Sequence, residues 1–402
     1  MQSLVGRSQD AYAVIARRKR VRNAILISLG CLVAIAAVLA GTLHFLLNRQ
    51  YNSYTVSSTK NIKNSDSMKF LSYNNGVLRY SRDGAAAITR DGKEQWNGSY
   101  DMENPEVDIA GQYVVVADIE GKTLYVFNGS DSGTQMTMDQ PILQACVSKQ
   151  GVVAVLLEQN DSNVIQIYNP YDANNKLLVE IPTNVEEGYP VSMDLAEDGT
   201  GLVASFVCVT SGTVQSRVAF YDFTDVGKNT NCLVGAKEYK DRVISEVRYL
   251  GADHACLFSE KGFSVWENMK KPKEKMHKEW KQTILSAYCN EDYVGAVVKK
   301  DTEGKADMLL YSLNGKQILK REISSEYTKA ELYGDEIYIR SAKGCAIYRK
   351  NGVRKWDCSM KDEPDALLPT KGMRNYLMCK DGKMQLIKLS KKTSSKKTQK
   401  SK

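Results

Sequence analysis

Residues 106–139 read EVDIAGQYVVVADIEGKTLYVFNGSDSGTQMTMD, and this stretch decides the fold. It holds four short runs, EVDIAG, YVVVAD, KTLYVFN and TQMTMD, with a Glu120-Gly121 turn before the third. The runs are rich in β-branched and aromatic residues, and small or turn-forming residues separate them, so they read as strands and not as helices. The same unit recurs upstream as KFLSYN, VLRYS, AAAITR and KEQWNGSY, with Asp83-Gly84 and Asp91-Gly92 at hairpin positions that favour positive φ. It recurs downstream as AELYG, IYIRSA, CAIYRK and VRKWDC around Asn351-Gly352.

Applied along the chain, this template places first strands near Phe70, Val107, Ile142, Val191, Ile244, Ile284, Lys329 and Ala366. The intervals run from about 35 to 53 residues, the period of four-stranded propeller blades. An all-β, eight-bladed β-propeller is therefore expected, with seven blades as the alternative count. The last unit offers only ALLPTKG, NYLMCK and KMQLIKLS, one strand short. A sheet edge left open there invites aggregation, and Tyr54 to Thr59, just ahead of the first blade, is the expected closing strand.

Upstream of the repeats, Ala24 to Leu47 (AILISLGCLVAIAAVLAGTLHFLL) carries no formal charge. As a helix it extends about 36 Å, enough to cross a bilayer. Arg17, Arg18, Lys19, Arg20 and Arg22 precede it, and only Arg49 and Lys60 follow soon after. The positive-inside bias then keeps residues 1–23 in the cytoplasm and sends the rest outside. A cleaved signal peptide ending at Val38-Leu39-Ala40 is the rival reading, but the apolar run continues to Leu47, longer than a typical signal core. The expected organisation is a basic cytoplasmic tail (1–23), a transmembrane helix (24–47), a stalk with a closing strand (48–67), the propeller (68–390) and a Lys-rich disordered tail (391–402).

The formal net charge of +8 belongs to the two ends. The first 23 residues carry a net +5 and the last fifteen hold seven Lys and no acid, which leaves the region between them mildly acidic. No basic stripe on a folded face follows, and a nucleic-acid partner is not expected. The Lys tail suits anionic lipid headgroups or wall polyanions. Lys270 to Lys281 reads as a long basic loop of the fifth blade.

Eight cysteines lie outside the anchor. Cys345 and Cys358 stand out, because a two-residue Asn351-Gly352 hairpin sets them directly opposite each other, within disulfide reach. Only three His are present, His44, His254 and His277, and no Cys-x-x-Cys, HExxH, P-loop, GxSxG or EF-hand spacing occurs. No catalytic residue, metal site or cofactor is expected. Carboxylates at first strands, such as Asp108 and Asp194, are the chemistry available to a channel hydrolase or lyase that needs no His.

GKTLYVFN after YVVVAD, and the Asp-Gly turn before the Trp-bearing strand in DGKEQWNGSY, resemble repeats of PQQ-like and WD40-like bacterial propellers. With its basic N-terminus, single anchor and Tyr-rich repeats, the chain is similar to an uncharacterised family of single-pass membrane-anchored β-propeller proteins of Gram-positive bacteria. The resemblance implies a fold and no activity. Quinone dehydrogenases of the PQQ group share adjacent cysteines and many Trp docking motifs, whereas this chain has no Cys-Cys and four Trp. The expected function is non-enzymatic: an extracytoplasmic binding or scaffolding module of the cell envelope, with a protein, peptide or glycan partner. A ligand sensor signalling through the anchor helix is the remaining alternative.

Overall fold

The computed structural model describes residues 2–62, 68–130, 132–159, 162–172, 176–183, 188–210, 212–342, 344–359 and 364–391. The chain divides into two compact units, Met1–Gln50 and Tyr51–Lys402. The first is one helix, Gln2–Asn48, in which Ile25–Asn48 is long and apolar enough to cross a membrane. The basic residues ahead of the span thus continue its helix. Arg22 is exposed, and the side chains of Arg17, Arg18, Lys19 and Arg20 lie outside the described residues.

The second unit is an eight-bladed propeller, eight antiparallel sheets of four strands each. The inner strands begin at Lys69, Pro105, Ile142, Tyr189, Ile244, Ile284, Lys329 and Ala366, within two residues of every expected start. Burial follows the repeat. Second strands such as Tyr113–Asp118 are buried almost throughout, because both faces meet neighbouring blades, while outer strands such as Glu94–Ser99 bury alternate residues only. The tryptophans serve these blade-to-blade contacts. Trp96 stacks on Phe127 of the next blade at 4.5 Å, and Trp266 packs on Phe220 of the preceding blade at 4.9 Å.

The eighth blade is completed from the other end of the chain. Ser53–Asn61 pairs antiparallel with Lys383–Ser390, from Ser53↔Ser390 to Asn61↔Lys383, with a bulge between Val56 and Ser58. Buried Tyr51 and Ile62 flank this strand, one in the cluster with Trp356 and Tyr376, the other in the cluster with Leu368 and Leu377. Part of the expected stalk therefore belongs to the ring.

At the closing seam, Lys355 of the seventh blade's outer strand is only 2% exposed and forms an ion pair with Glu336. The Tyr376 hydroxyl, from the eighth blade, donates to Glu336 Oε2 at 2.8 Å, and the Lys355 ammonium lies 5.1 Å from the Tyr376 ring centre. Burial pulls the Lys355 ammonium below its ordinary pKa, against the Glu336 carboxylate that raises it. The backbone N–H of Tyr51 donates to Lys355 O at 2.8 Å, so the entering chain is bonded to the same residue.

Two local expectations change. The Asn351-Gly352 turn is one residue longer than a two-residue hairpin: Arg349 N–H donates to Val353 O at 3.0 Å and Gly352 has φ +83°. The irregularity that follows, with Tyr348 opposite Arg354 but Ile347 opposite Trp356, leaves Lys355 as an extra residue and restores the offset. Cys345 and Cys358 are consequently register partners as expected, although the Cys358 side chain lies outside the described residues. The second change is that Lys273–Glu279 is a strand and not a loop. Met276 alone points to the core, and the charges around it form the solvent face of an outer strand.

Candidate functional site

Inner strands of adjacent blades diverge from the axis and do not ladder with one another, which leaves backbone N–H groups to be satisfied by other means. Polar side chains of one blade accept from the inner strand of the next. Asp108 Oδ2 accepts from Val147 N–H at 2.8 Å, and Gln144 Oε1 accepts from Met193 N–H at 3.0 Å. Ser192 Oγ and Asp194 Oδ2 accept from Val247 and Tyr249 N–H at 3.1 and 2.8 Å, and Ser286 Oγ accepts from Ala330 N–H at 3.0 Å. Asp108 and Asp194 are therefore structural stitches as well as channel carboxylates.

These strands enclose a cavity of about 610 Å³ that reaches from Asp108 and Asp194 to the turns joining inner and second strands. Arg248, from the fifth blade's inner strand, projects into it. Its Nε donates to Glu246 Oε1 at 2.8 Å, and its side chain is 47% exposed. Among the described residues its two terminal guanidinium nitrogens have no hydrogen-bond partner. Tyr249, Tyr333 and Leu332 supply less polar wall.

Over the mouth, Lys149 of the third blade bonds Glu197 of the fourth at 2.5 Å and Glu291 of the sixth at 2.8 Å. This contact joins blades that are not neighbours. Glu331, also lining the cavity, is compensated by Arg340 at 2.5 Å.

Burial dominates the electrostatics. It pushes the Asp194 carboxyl up to about 7, assisted by the nearby Asp108 and opposed by Arg248 and the N–H groups of Tyr249 and Leu195. Burial raises Asp108 as well, against the Val147 N–H and Arg248. Burial would lower Arg248, but Asp194 and Glu246 outweigh it and hold the guanidinium above its ordinary value. The Cys289 thiol, on the cavity wall, is pushed up to about 12 by burial, so it is no thiolate nucleophile at neutral pH.

Among the described residues no group of three or more His, Cys, Asp or Glu is arranged to hold a metal ion. His254 begins the second strand of the fifth blade, and His277 lies in the outer strand of the same blade, where its ring nitrogens face Glu274 and Glu279. Two pairs of adjacent acids in the sequence, Glu186-Glu187 and Asp362-Glu363, lie outside the described residues, as do residues 392–402 of the Lys tail. Sequence reasoning found Asp108 and Asp194 but missed Arg248, Glu246 and the Lys149 bridge. The available signal was a charge inside an otherwise apolar inner strand, as in VRYL.

A family model described as a family of unknown function matches residues 47–389. No curated protein matches the chain. Among solved structures, the computationally designed Ika8 protein is similar in fold, with a TM-score of 0.57 at 12% identity over 82% of this chain and 98% of that one. Hsv2p of Kluyveromyces lactis aligns with a TM-score of 0.47 at 10% identity, over 73% of this chain and 98% of that one.

Proposed function

The chain belongs to the DUF5711 family, whose function is unknown, and from the site itself we propose that it is a membrane-anchored, extracytoplasmic binding module whose ligand occupies the axial cavity. The observation that carries this reading is Arg248: a guanidinium in a cavity of ligand-pocket size, with its two terminal nitrogens uncommitted. A guanidinium fork presents two parallel donors to one acceptor group, a geometry suited to recognition. The eight-bladed ring, stitched by side chains at four of its blade junctions, holds it on a rigid frame. Basic residues ahead of the span support a cytoplasmic N-terminus with the propeller outside, and the Lys tail supports contact with anionic lipid or wall polymer. Kinship with PQQ-like or WD40-like repeats belongs to the same proposal.

The test is thermal denaturation of the full-length protein in detergent against a broad library of envelope peptides, glycans and small metabolites. A ligand that raises the melting temperature of the wild type and not of Arg248→Gln supports the reading. Ligands that stabilise both equally, or none that stabilise either, overturn it.

A second reading rests on Asp194. A carboxyl pushed up to about 7 is in the range of a general acid or base at neutral pH, as a channel hydrolase or lyase requires. Both of its oxygens already accept backbone N–H groups, which favours the structural role. Turnover of any cavity ligand, abolished in Asp194→Asn with binding retained, would establish the enzymatic alternative.

A further inference from the structure

Building on the axial cavity as the ligand site, we propose that the ligand is a zwitterion of the amino-acid or short-peptide class, its carboxylate on the Arg248 fork and its ammonium among the surrounding carboxylates.

The argument is one of charge and unmet hydrogen-bonding capacity. Arg248 offers two terminal nitrogens that no described residue engages, and the group best matched to that fork is a carboxylate. An anion alone does not suit the surroundings. Glu246 alone balances this guanidinium, so Asp108 and the part-ionised Asp194 leave the lower cavity an excess of negative charge that disfavours a purely anionic ligand. A simple cation is drawn by that excess but meets the Arg248 charge and leaves its fork unpaired. A molecule carrying both charges satisfies the two demands at once.

The same cavity shows how its carboxylates hold an ammonium. At the mouth the Lys149 Nζ sits 2.5 Å from Glu197 and 2.8 Å from Glu291, one ammonium shared by carboxylates of two blades. Size supports a peptide as well as a single amino acid, since about 610 Å³ is within the range of roughly 300–1,000 Å³ found for small-ligand sites. Tyr249, Leu332 and Tyr333 give side chains of such a ligand an apolar wall.

The experiment is calorimetric titration of the full-length protein in detergent, at low salt, with four probes: a mixed-sequence tripeptide pool, the same pool N-acetylated, the same pool C-amidated, and free alanine. The expected result is binding of the unmodified pool, at least tenfold weaker binding of each blocked pool, and loss of binding in Arg248→Gln, with that variant still folded by circular dichroism at the temperature of the titration. Free alanine binding as tightly as the pool assigns the site to amino acids, and weaker alanine binding assigns it to peptides; both support the zwitterion. Equal binding of the acetylated pool, or of the amidated pool, overturns it, because one charge then suffices. If no probe binds while another library ligand still stabilises in an Arg248-dependent way, the zwitterion fails and the cavity remains the ligand site. If no ligand stabilises at all, both readings fall together.

Discussion

Removing residues 51–62 in frame, with the anchor helix kept, tests ring closure most directly. The deletion exposes the outer edge of Lys383–Ser390 and removes two buried side chains, Tyr51 and Ile62. At about 1.5–3 kcal/mol for each large apolar side chain returned to water, their loss costs roughly 3–6 kcal/mol. Tyr54, edge-on to Trp356 at 5.7 Å, adds about 0.5–1.5 kcal/mol. The backbone ladder changes the total little, since about 1 kcal/mol per hydrogen bond is offset by about 1–2 kcal/mol per residue of ordering entropy. The sum, roughly 4–7 kcal/mol, is a large part of the 5–15 kcal/mol typical of native proteins. With an unfolding entropy near 2 cal/mol/K per residue, a ring of this size loses about 1–1.5 °C per kcal/mol, so the melting temperature is expected to fall by roughly 5–10 °C. Circular dichroism melts of wild type and deletion in the same detergent read this directly. A shift below about 2 °C would refute the assigned role of the strand.

The closing seam gives a second prediction: Lys355→Ala leaves the half-buried Glu336 without its paired ammonium and costs about 1–3 kcal/mol, and adding Glu336→Gln recovers part of that loss, as a double-mutant cycle by denaturant melts would show. Additivity of the two substitutions would contradict the pairing. Cys345 and Cys358 are expected to crosslink on mild oxidation, with the linked peptides seen by mass spectrometry of a non-reduced digest; both peptides unlinked would reject the pair. Asp194 gives a pH dependence. Its folded-state pKa lies above the usual aspartate value, so the folded state holds this proton more tightly than the unfolded chain; the resulting stability is full below about pH 4 and is lost as pH rises through about 7. Melting temperatures from pH 4 to 8 should therefore fall less steeply in Asp194→Asn than in wild type, and identical slopes would show that Asp194 titrates normally.

The fold was legible because its signals are local and repeated. Period-two apolar runs between Gly, Asn and Asp turns marked all eight inner strands, and the strand missing after Lys383–Ser390 pointed to one supplied from before the first blade. The Lys270 to Lys281 segment misled, since a strand with Met276 alone facing inward reads as a charged run. The Cys345–Cys358 register emerged correctly from a misread turn only because the extra residue at Lys355 cancels the error. Burial of Lys355 itself has no local signal; the irregular strand and a glutamate on another strand create it. The cavity was half legible. Single carboxylates in inner strands drew attention to Asp108 and Asp194, but Arg248, Glu246 and the Lys149 bridge become a site only when blades distant in sequence converge on the axis.

Closure by Ser53–Asn61 also sets an order of events during synthesis. The Thr55 hydroxyl donates to the carbonyl of Lys388, 333 positions further along the chain, so one of the first strands to leave the ribosome must wait for one of the last. Joining ends so far apart costs roughly 5 kcal/mol of loop entropy beyond a constant, and that cost is met only after the intervening blades have shortened the gap. Throughout that wait the early strand remains an unpaired edge beside a nascent chain full of similar strands. Its composition answers the hazard: SYTVSSTKN is polar, with Val56 its only aliphatic residue, and such a strand pairs poorly with anything but the partner that finally arrives.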